Sequence, residues 1–378
     1  MRIRSTGILL IALAALIGAA PARADEADNF TCRARLTRDA LAPLDDEVNV
    51  RIQAALVRAN HAGPGRCDAA CLRRLLQRSV GGSERHPMTF IPHATVTRLI
   101  KARPDIDRCR LAFRDSIYGA RAYDQPWLWP VNRRIIFLAD SILVAGHVVG
   151  LDKIDHFIRE GLVHWRAVSL EGGDIASSIE RELGSLRGPL RWTERGVKGL
   201  ALTGVLSYAD LAAGYFGFRF WRDLLSPDGA GSFIVFDAPE ARWAQRRSFS
   251  FADYVNHAWD ESVNCSTFHP ALAREVAEAL RARDLACPAV PHRRLAGLPD
   301  APLYVNPALL VAEPDDSVFR VSERIRGRGL GRLRSGRRSR FSVYFRGLRK
   351  GLGAHRRGHT GWRRGDRVRS RAAGGHRG

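Results

Sequence analysis

Four ionisable side chains recur at intervals of four residues within the segment from Leu151 to Trp165. They are Asp152, His156, Glu160 and His164. On a helix this spacing places consecutive side chains one turn apart on the same side, so neighbours can converge on one ion or one proton. Imidazole nitrogen and carboxylate oxygen suit zinc, iron or manganese. The pattern indicates a divalent-metal or acid/base site, with His156 and Glu160 as catalytic candidates and Glu160 as the general base for bound water.

A second element must complete such a site, because one helix face supplies too few ligands. Acids and a histidine in three later segments are candidates: Glu180, Glu182, Asp210, His257, Asp260 and Glu261. The predicted metal ligands are Asp152, His156, His164, Glu182 and Asp210. The alternative interpretation is the solvated face of an amphipathic helix, in which the four-residue pattern only pairs with surface Arg and Lys.

A stretch rich in small residues runs from Gly199 to Trp221. Small side chains such as Gly204 and Gly217 let two helices approach closely, which would bring Ser207 and Asp210 near His156. A Ser/His/Asp nucleophilic set is formally present there, but no Gly-x-Ser-x-Gly turn accompanies it. Four residues of the stretch follow helical spacing and form either core or a ligand platform: Tyr208, Leu211, Tyr215 and Phe218. Ser207 and Tyr215 are therefore binding candidates.

The run Asp152-Lys153-x-x-His156-Phe157 resembles a signature that opens a helix in VanZ-like and related small bacterial envelope proteins. The match covers these six positions. The runs Thr203-Gly204-Val205 and Ser207 to Leu211 are similar to uncharacterised exported proteobacterial proteins. The resemblance implies an envelope setting and a role for Asp152, Lys153 and His156, with Lys153 as a binding residue, and it implies no particular reaction.

Several motif-defined activities lack their motif. The chain has no phosphate-binding Walker loop, no dinucleotide fingerprint after a strand and no His-Glu-x-x-His. Nucleotide hydrolysis, NAD chemistry and this type of zinc proteolysis are therefore not supported.

The amino terminus predicts a secretory signal peptide over residues 1–24. Arg2 and Arg4 precede an apolar run from Gly7 to Ala20, and small residues follow, which predicts cleavage after Ala24. We therefore expect a periplasmic or secreted protein, in which the even number of cysteines forms disulfides. The candidates are Cys32, Cys67, Cys71, Cys109, Cys265 and Cys287.

The expected pairing follows from the position of each cysteine. Cys67 and Cys71 are four residues apart in a helical pattern, so both face one side and are expected to reach Cys32 and Cys109 rather than each other. Cys265 and Cys287 are expected to pair around a helix that begins near Pro270. A cysteine-rich metal site is disfavoured, because exported thiols oxidise and no Cys-x-x-Cys occurs.

Apolar residues recur at spacings of three and four, which predicts an all-α protein, an irregular multi-helix bundle braced by disulfides. A Cys-rich helical subdomain is expected over 25–120, a main helical domain over 121–310, and a linker with a disordered Arg/Gly-rich tail over 311–378. The predicted helices are 46–60, 68–78, 95–103, 106–118, 132–149, 151–165, 174–186, 197–225, 251–259 and 270–283.

The net charge of +21 is concentrated in the tail. Arg324 to Gly378 holds 19 basic residues and one acid, whereas Asp25 to Glu323 holds 38 of each sign. Nucleic-acid binding by the folded body through net charge is therefore not supported. The tail is either an arm that contacts anionic polymers, or the product of a frameshift at about residue 320, since acid-poor Arg/Gly/Ser composition is typical of a GC-rich sequence read out of frame.

These observations favour an exported helical protein that binds an envelope component or a protein partner, or has a structural role. The alternatives are a metal-dependent hydrolase of an envelope lipid, phosphoester or peptidoglycan fragment, and a polyanion binder acting through the tail.

Overall fold

Short strands and helices together build this chain, so the prediction of an all-α bundle is wrong. The computed structural model is about 52% helical and 11% strand. It describes residues 24–63, 65–82, 100–119, 136–184, 193–195, 199–200, 203–226, 231–291 and 293–311, which belong to one unit within Met1–Arg324. Residues 1–23 of the predicted signal peptide and the Arg/Gly tail lie outside these ranges. The division into a Cys-rich and a main helical part stays a prediction.

The helices carry most of the core. In chain order they are α1 (Asn29–Cys32), α2 (Leu41–His61), α3 (Ala69–Gly81), α4 (Leu151–Asp155), a π-helix (His156–Glu160), α5 (Gly161–Ser169), α6 (Ile175–Leu183), α7 (Tyr208–Leu225), α8 (Pro270–Ala282), α9 (Arg293–Ala296) and α10 (Pro307–Leu310). Side chains of Asp68, Asp174 and Ser207 cap the first turns of α3, α6 and α7 by accepting backbone N–H bonds. Six predicted helices thus recur with shifted ends, at α2, α3, α4–α5, α6, α7 and α8.

Eight short strands pair into four two-stranded sheets within the described ranges. They are β1 (Ala24–Ala27), β2 (Ile136–Ala139), β3 (Ser141–Val144), β4 (His147–Gly150), β5 (Val205–Leu206), β6 (Ile234–Asp237), β7 (Arg242–Gln245) and β8 (Thr267–Phe268). β1 runs parallel to β2, with Ala24 opposite Ile136. The other pairs, β3–β4, β5–β8 and β6–β7, are antiparallel.

The helix predicted over 132–149 is wrong, because its described part forms β2, β3 and β4. Ala145 and Gly146 both have positive φ, of 50° and 77°, which suits the tight two-residue turn between β3 and β4. Ile142 and Val149 are buried on one face of the hairpin, and on the other face Val148 is buried and Leu143 is partly buried. Burial on both faces removed the alternation of apolar and polar residues that identifies a strand in a sequence.

Other predicted helices are shorter than expected or absent. The range 106–118 holds only the 3-10 turn Phe113–Asp115, and 251–259 holds the two 3-10 turns Phe251–Asp253 and His257–Trp259. The helix predicted over 197–225 begins only at Tyr208, because Ser207 caps it after β5. Of the helix predicted over 95–103, residues 95–99 lie outside the described ranges and 100–102 are helical.

All six cysteines form disulfides, but only one predicted pairing is correct. Cys265 pairs with Cys287 as expected. Cys32 pairs with Cys109, and Cys67 pairs with Cys71 across 5.2 Å between their Cα atoms. Cys67 precedes the capping residue Asp68, so it lies outside α3 and is free to turn back toward Cys71. Three disulfides indicate an oxidising, extracytoplasmic environment. Among the described helices, none has both the length and the apolar character required to span a membrane.

α5 and α7 cross with their backbones in contact, as the small residues of α7 predicted. An added Cβ on Gly161 would overlap the backbone of Gly217, and one on Gly217 would overlap the carbonyl of Phe157. Phe157 itself is fully buried in an aromatic cluster that includes Phe220, 5.0 Å away between ring centroids, and Trp259, 5.3 Å away. The two glycines thus fix how closely α7 approaches the helix of the four-residue pattern.

We expect Gly217→Ala to lower the free energy of unfolding by about 3 kcal/mol, because the added methyl group meets backbone atoms that cannot rotate away. Gly81→Ala is the matched control: its Cβ would lie 3.4 Å from Leu162 and 3.5 Å from Trp221, which is ordinary side-chain contact. Urea denaturation of both variants measures the difference. Equal stability of the two variants would contradict the backbone-to-backbone crossing.

Candidate functional site

The candidate site is built around the fully buried Lys153, and we call Lys153 and its buried acids Glu26, Asp152, Asp210 and Glu261 the acidic centre. The Nζ atom of Lys153 on α4 lies 2.5 Å from a carboxylate oxygen of each of Asp152, Asp210 and Glu261, and the Lys153 side chain is 0% exposed. Asp210 comes from the first turn of α7 and Glu261 follows the 3-10 turn His257–Trp259. One ammonium group therefore joins three separate segments of the chain.

Burial and charge act in opposite directions on these groups. Burial alone lowers the pKa of Lys153, but the three carboxylates raise it well above its usual value, so the ammonium stays charged. Burial raises the pKa of Asp152 to about 7, although Lys153 opposes the shift. Burial likewise raises the pKa of Glu261 and of Glu26, a fourth buried acid close to the same charges. The centre holds more negative than positive charge when its acids are ionised.

Neutral side chains surround the carboxylates and fix their positions. Ser207 Oγ lies 3.1 Å from Asp210 Oδ1 and 3.2 Å from Glu261 Oε1. The Tyr118 hydroxyl lies 3.3 Å from Glu261 Oε2, and Thr203 Oγ1 donates to Glu26 Oε1 at 3.0 Å. Ser207 thus caps α7 and supports two acids; these contacts assign it a positioning role instead of that of a nucleophile next to His156.

His156 extends the centre toward solvent. Its Nε2 atom lies 3.2 Å from Asp210 Oδ2, and its side chain is 13% exposed. One ligand atom from each of Asp152, His156 and Asp210 lies within 4.8 Å of the others. A second set with the same spacing consists of His156, Glu160 and Glu182, all half-buried. His156 therefore belongs to two groups of metal-ligand type, one buried and one on the more open side.

One carboxylate oxygen of Asp152 is buried without a hydrogen-bond partner among the described residues. This oxygen is Oδ1, whereas the Oδ2 atom of Asp152 binds Lys153. A buried carboxylate oxygen without a partner is unfavourable by about 1–3 kcal/mol or more. A cation or a proton at this oxygen removes that penalty.

The π-helix keeps the four-residue pattern on one side. In an α-helix each step of four residues exceeds the turn of 3.6 residues, so the pattern drifts around the axis. The N–H of Gly161 donates to the carbonyl of His156, an i→i+5 bond that widens this turn. A wider turn reverses the drift between His156 and Glu160. Trp221 Nε1 donates to the Ile158 carbonyl at 2.7 Å, so α7 satisfies an acceptor in the widened segment.

His164 is buried and holds Glu182 in place. Its Nε2 atom lies 2.6 Å from Glu182 Oε2, and its Nδ1 atom lies 2.8 Å from Ser178 Oγ. Because an ionised carboxylate only accepts, Nε2 carries the hydrogen and Ser178 donates to Nδ1 when the ring is neutral. Gly214 of α7 makes room, since a Cβ there would lie 3.2 Å from His164 Nε2. His164 is thus an orienting partner of a carboxylate, as found around metal sites.

The remaining candidates predicted from the sequence make contacts other than those around Lys153. Tyr215 donates to Asp300 Oδ2 at 2.7 Å and packs on Tyr304, so it belongs to the core contacts of α7. Glu180 is exposed, and Asp260 pairs with Arg33. The solvated-face alternative is wrong for Asp152 and His164, which are 6% and 2% exposed.

Sequence reasoning did not identify several contributors. Glu26, Thr203 and Tyr118 were not predicted as site residues, and Lys153 was expected to bind a ligand, whereas it binds three acids of its own chain. Glu26 is the second residue after the predicted cleavage site, where no periodic pattern marks it. Ser178 could have been predicted from the sequence, because it lies four residues before Glu182 and this spacing on a helix lets both contact one side chain.

Comparison with known proteins adds no further assignment: no family model, curated protein or solved structure matches this chain.

We expect Lys153→Met to lower the free energy of unfolding by about 4 kcal/mol near neutral pH, because the acids around it lose their counter-charge in a buried site. Without Lys153, which lowers the pKa values of Asp152, Glu261 and Glu26, the folded-state pKa values of these three acids rise further above their unfolded values. The deficit relative to the unmodified protein should therefore grow as pH rises and shrink as pH falls.

Lys101→Met is the matched control, because Lys101 lies outside the acidic centre and is half-buried. Denaturant unfolding at about pH 5 and pH 8 measures both effects. A Lys153→Met protein as stable as Lys101→Met, or a deficit independent of pH, would contradict the electrostatic role assigned to the ammonium.

Proposed function

We propose that this chain is an exported protein, periplasmic or secreted, that binds one divalent metal ion at Asp152, His156 and Asp210. The observation that carries the proposal is that one ligand atom from each of Asp152, His156 and Asp210 lies within 4.8 Å of the others. The buried Oδ1 atom of Asp152 also has no hydrogen-bond partner in the described part of the chain. One imidazole and two carboxylates suit zinc, iron or manganese.

Charge balance supports a cation here. Four buried acids, Glu26, Asp152, Asp210 and Glu261, influence one another, and Lys153 neutralises only one equivalent. A divalent ion offsets two further negative charges without protonating the acids. Lys153 binds Asp152 Oδ2 and Asp210 Oδ1, so these carboxylates are oriented before any ion arrives.

A second candidate function is metal-assisted hydrolysis of an envelope lipid, phosphoester or peptidoglycan fragment. It is favoured by Glu160, which shares the more exposed side of His156 with Glu182. The ion would supply a water molecule of lowered pKa, and Glu160 would accept its proton. Binding of the ion is common to both candidates, and only the second requires Glu160 as a base.

Metal analysis tests the first candidate. After incubation of the full-length protein without a His-tag with Zn²⁺, Fe²⁺ or Mn²⁺ and removal of free ions, we expect close to one equivalent by elemental analysis. Asp152→Asn and His156→Ala should retain less than about a tenth of it, because each removes a ligand. Asp155→Asn on the same helix is the matched control and should bind normally. Metal-free protein in every sample would refute the proposal.

Glu160→Gln separates the two candidates. For the hydrolase, we expect this variant to keep its metal but to lose activity on activated ester and phosphoester substrates by about 100-fold or more, because only the proton acceptor is removed. Activity unchanged in Glu160→Gln, or activity that persists in His156→Ala, would exclude the assigned mechanism.

The export part of the proposal has its own test. Protein produced in a bacterium with its leader intact should be recovered with Asp25 as first residue and with no thiol that reacts under non-reducing denaturing conditions. Intact mass and alkylation measure both. A retained leader or free thiols in the extracytoplasmic fraction would contradict it.

A further inference from the structure

A second group of polar side chains lies outside the acidic centre, and we call it the basic group. It consists of Arg33, His147, His257 and Arg294. These residues come from four segments: the end of α1, the start of β4, the 3-10 turn His257–Trp259 and α9. The rings of His147 and His257 meet edge to face with centroids 4.5 Å apart, and Arg294 Nη1 lies 3.1 Å from His257 Nε2.

The acids that face the basic group are already engaged. Asp260 forms an ion pair with Arg33 and accepts from the N–H and hydroxyl of Ser262 at 2.9 and 2.6 Å. Asp39, whose charge also acts on His147, accepts from the backbone N–H groups of Leu41, Ala145 and Gly146 at 2.8 to 3.1 Å. Because both acids already accept these hydrogen bonds, the basic group has few hydrogen-bond acceptors left for its donors.

Hydrogen-bond donors, in contrast, are in excess. His257 Nε2 accepts from the Arg294 guanidinium, so its Nδ1 atom carries the hydrogen in the neutral ring. The buried Nε atom of Arg33 has no hydrogen-bond partner within the described ranges. Arg294 is exposed, whereas both imidazoles are half-buried. The basic group thus has an open side at Arg294.

Repulsion among these groups agrees with the excess of donors. Burial, His257, Arg33 and Arg294 lower the pKa of His147 to about 4, and burial and Arg294 lower the pKa of His257. Both rings are therefore neutral near pH 7, where they donate N–H bonds. An anion among these side chains would favour their protonated forms.

We propose that the basic group is a binding site for a small oxyanion of the phosphate class, either inorganic phosphate or a phosphomonoester. Guanidinium groups present paired N–H donors that match tetrahedral oxyanions, and two imidazole N–H groups supply further donors. The site is independent of the metal proposal, because it shares none of its residues.

NMR of the histidine rings in the full-length protein tests the site, with His147→Gln and His257→Gln used for assignment. We expect phosphate to shift the His147 and His257 signals saturably and to raise the pKa of His147, relative to chloride at equal ionic strength. Arg294→Gln should weaken phosphate binding about tenfold or more. Arg293→Gln, the neighbouring exposed arginine of α9, should bind as the unmodified protein does.

Site-specific ring signals are necessary because the 18 arginines of the tail also attract phosphate. Glycerol 3-phosphate and vesicles containing phosphatidic acid distinguish a soluble ester from a lipid headgroup, and Arg294-dependent binding of either supports the site. Phosphate that shifts the two rings no more than chloride does, or equal binding by Arg294→Gln and Arg293→Gln, would overturn the proposal.

Discussion

Burial of one ammonium group determines the arrangement of this protein. Lys153 has no water to solvate it, so carboxylates must surround it, and they come from its own helix, from the start of α7 and from the turn before α8. These segments are far apart in sequence, and the ion pairs with Lys153 hold them together in the folded chain. Ser207 and Tyr118 then orient the same acids. The candidate metal site is a consequence, because the acids that stabilise the ammonium exceed it in charge.

Close packing of backbones supplies the second constraint. Gly161 and Gly217 let α7 lie directly against the π-helix, and Trp221 bonds the Ile158 carbonyl in that segment. The same contact places Asp210 beside His156, and Gly214 leaves room for His164 and Glu182. The crossing of the helices therefore also determines the positions of the candidate ligands. A larger residue in place of a glycine of α7 would displace both the helix and these side chains.

The sequence allowed prediction of the helix with the four-residue pattern, its close crossing with α7 and the meeting of His156 with Asp210. These depend on periodicity and side-chain size, which are local properties. The β3–β4 hairpin was not predictable in the same way, because it carries apolar side chains on both faces: Ile142 and Val149 lie on one face, and Leu143 and Val148 on the other. Glu26 and the partner of Cys32 depend on contacts between distant segments. Lys153 was predicted to bind a ligand but binds three acids of its own chain. This difference has the same cause, because the three acids meet only in the folded chain.

The disulfide between Cys32 and Cys109 makes the stability of the acidic centre depend on the redox conditions around the chain. It packs against Val148 and fastens α1, whose neighbours include Glu26 and Asp28, the latter accepting from the Ile117 N–H at 2.8 Å. Closing a loop between residues 77 apart reduces the entropy of the unfolded chain. Under reducing conditions the strand that carries Glu26 loses this restraint. Formation of this disulfide thus favours the assembled acidic centre in an oxidising compartment, where disulfides persist, over the same centre under reducing conditions.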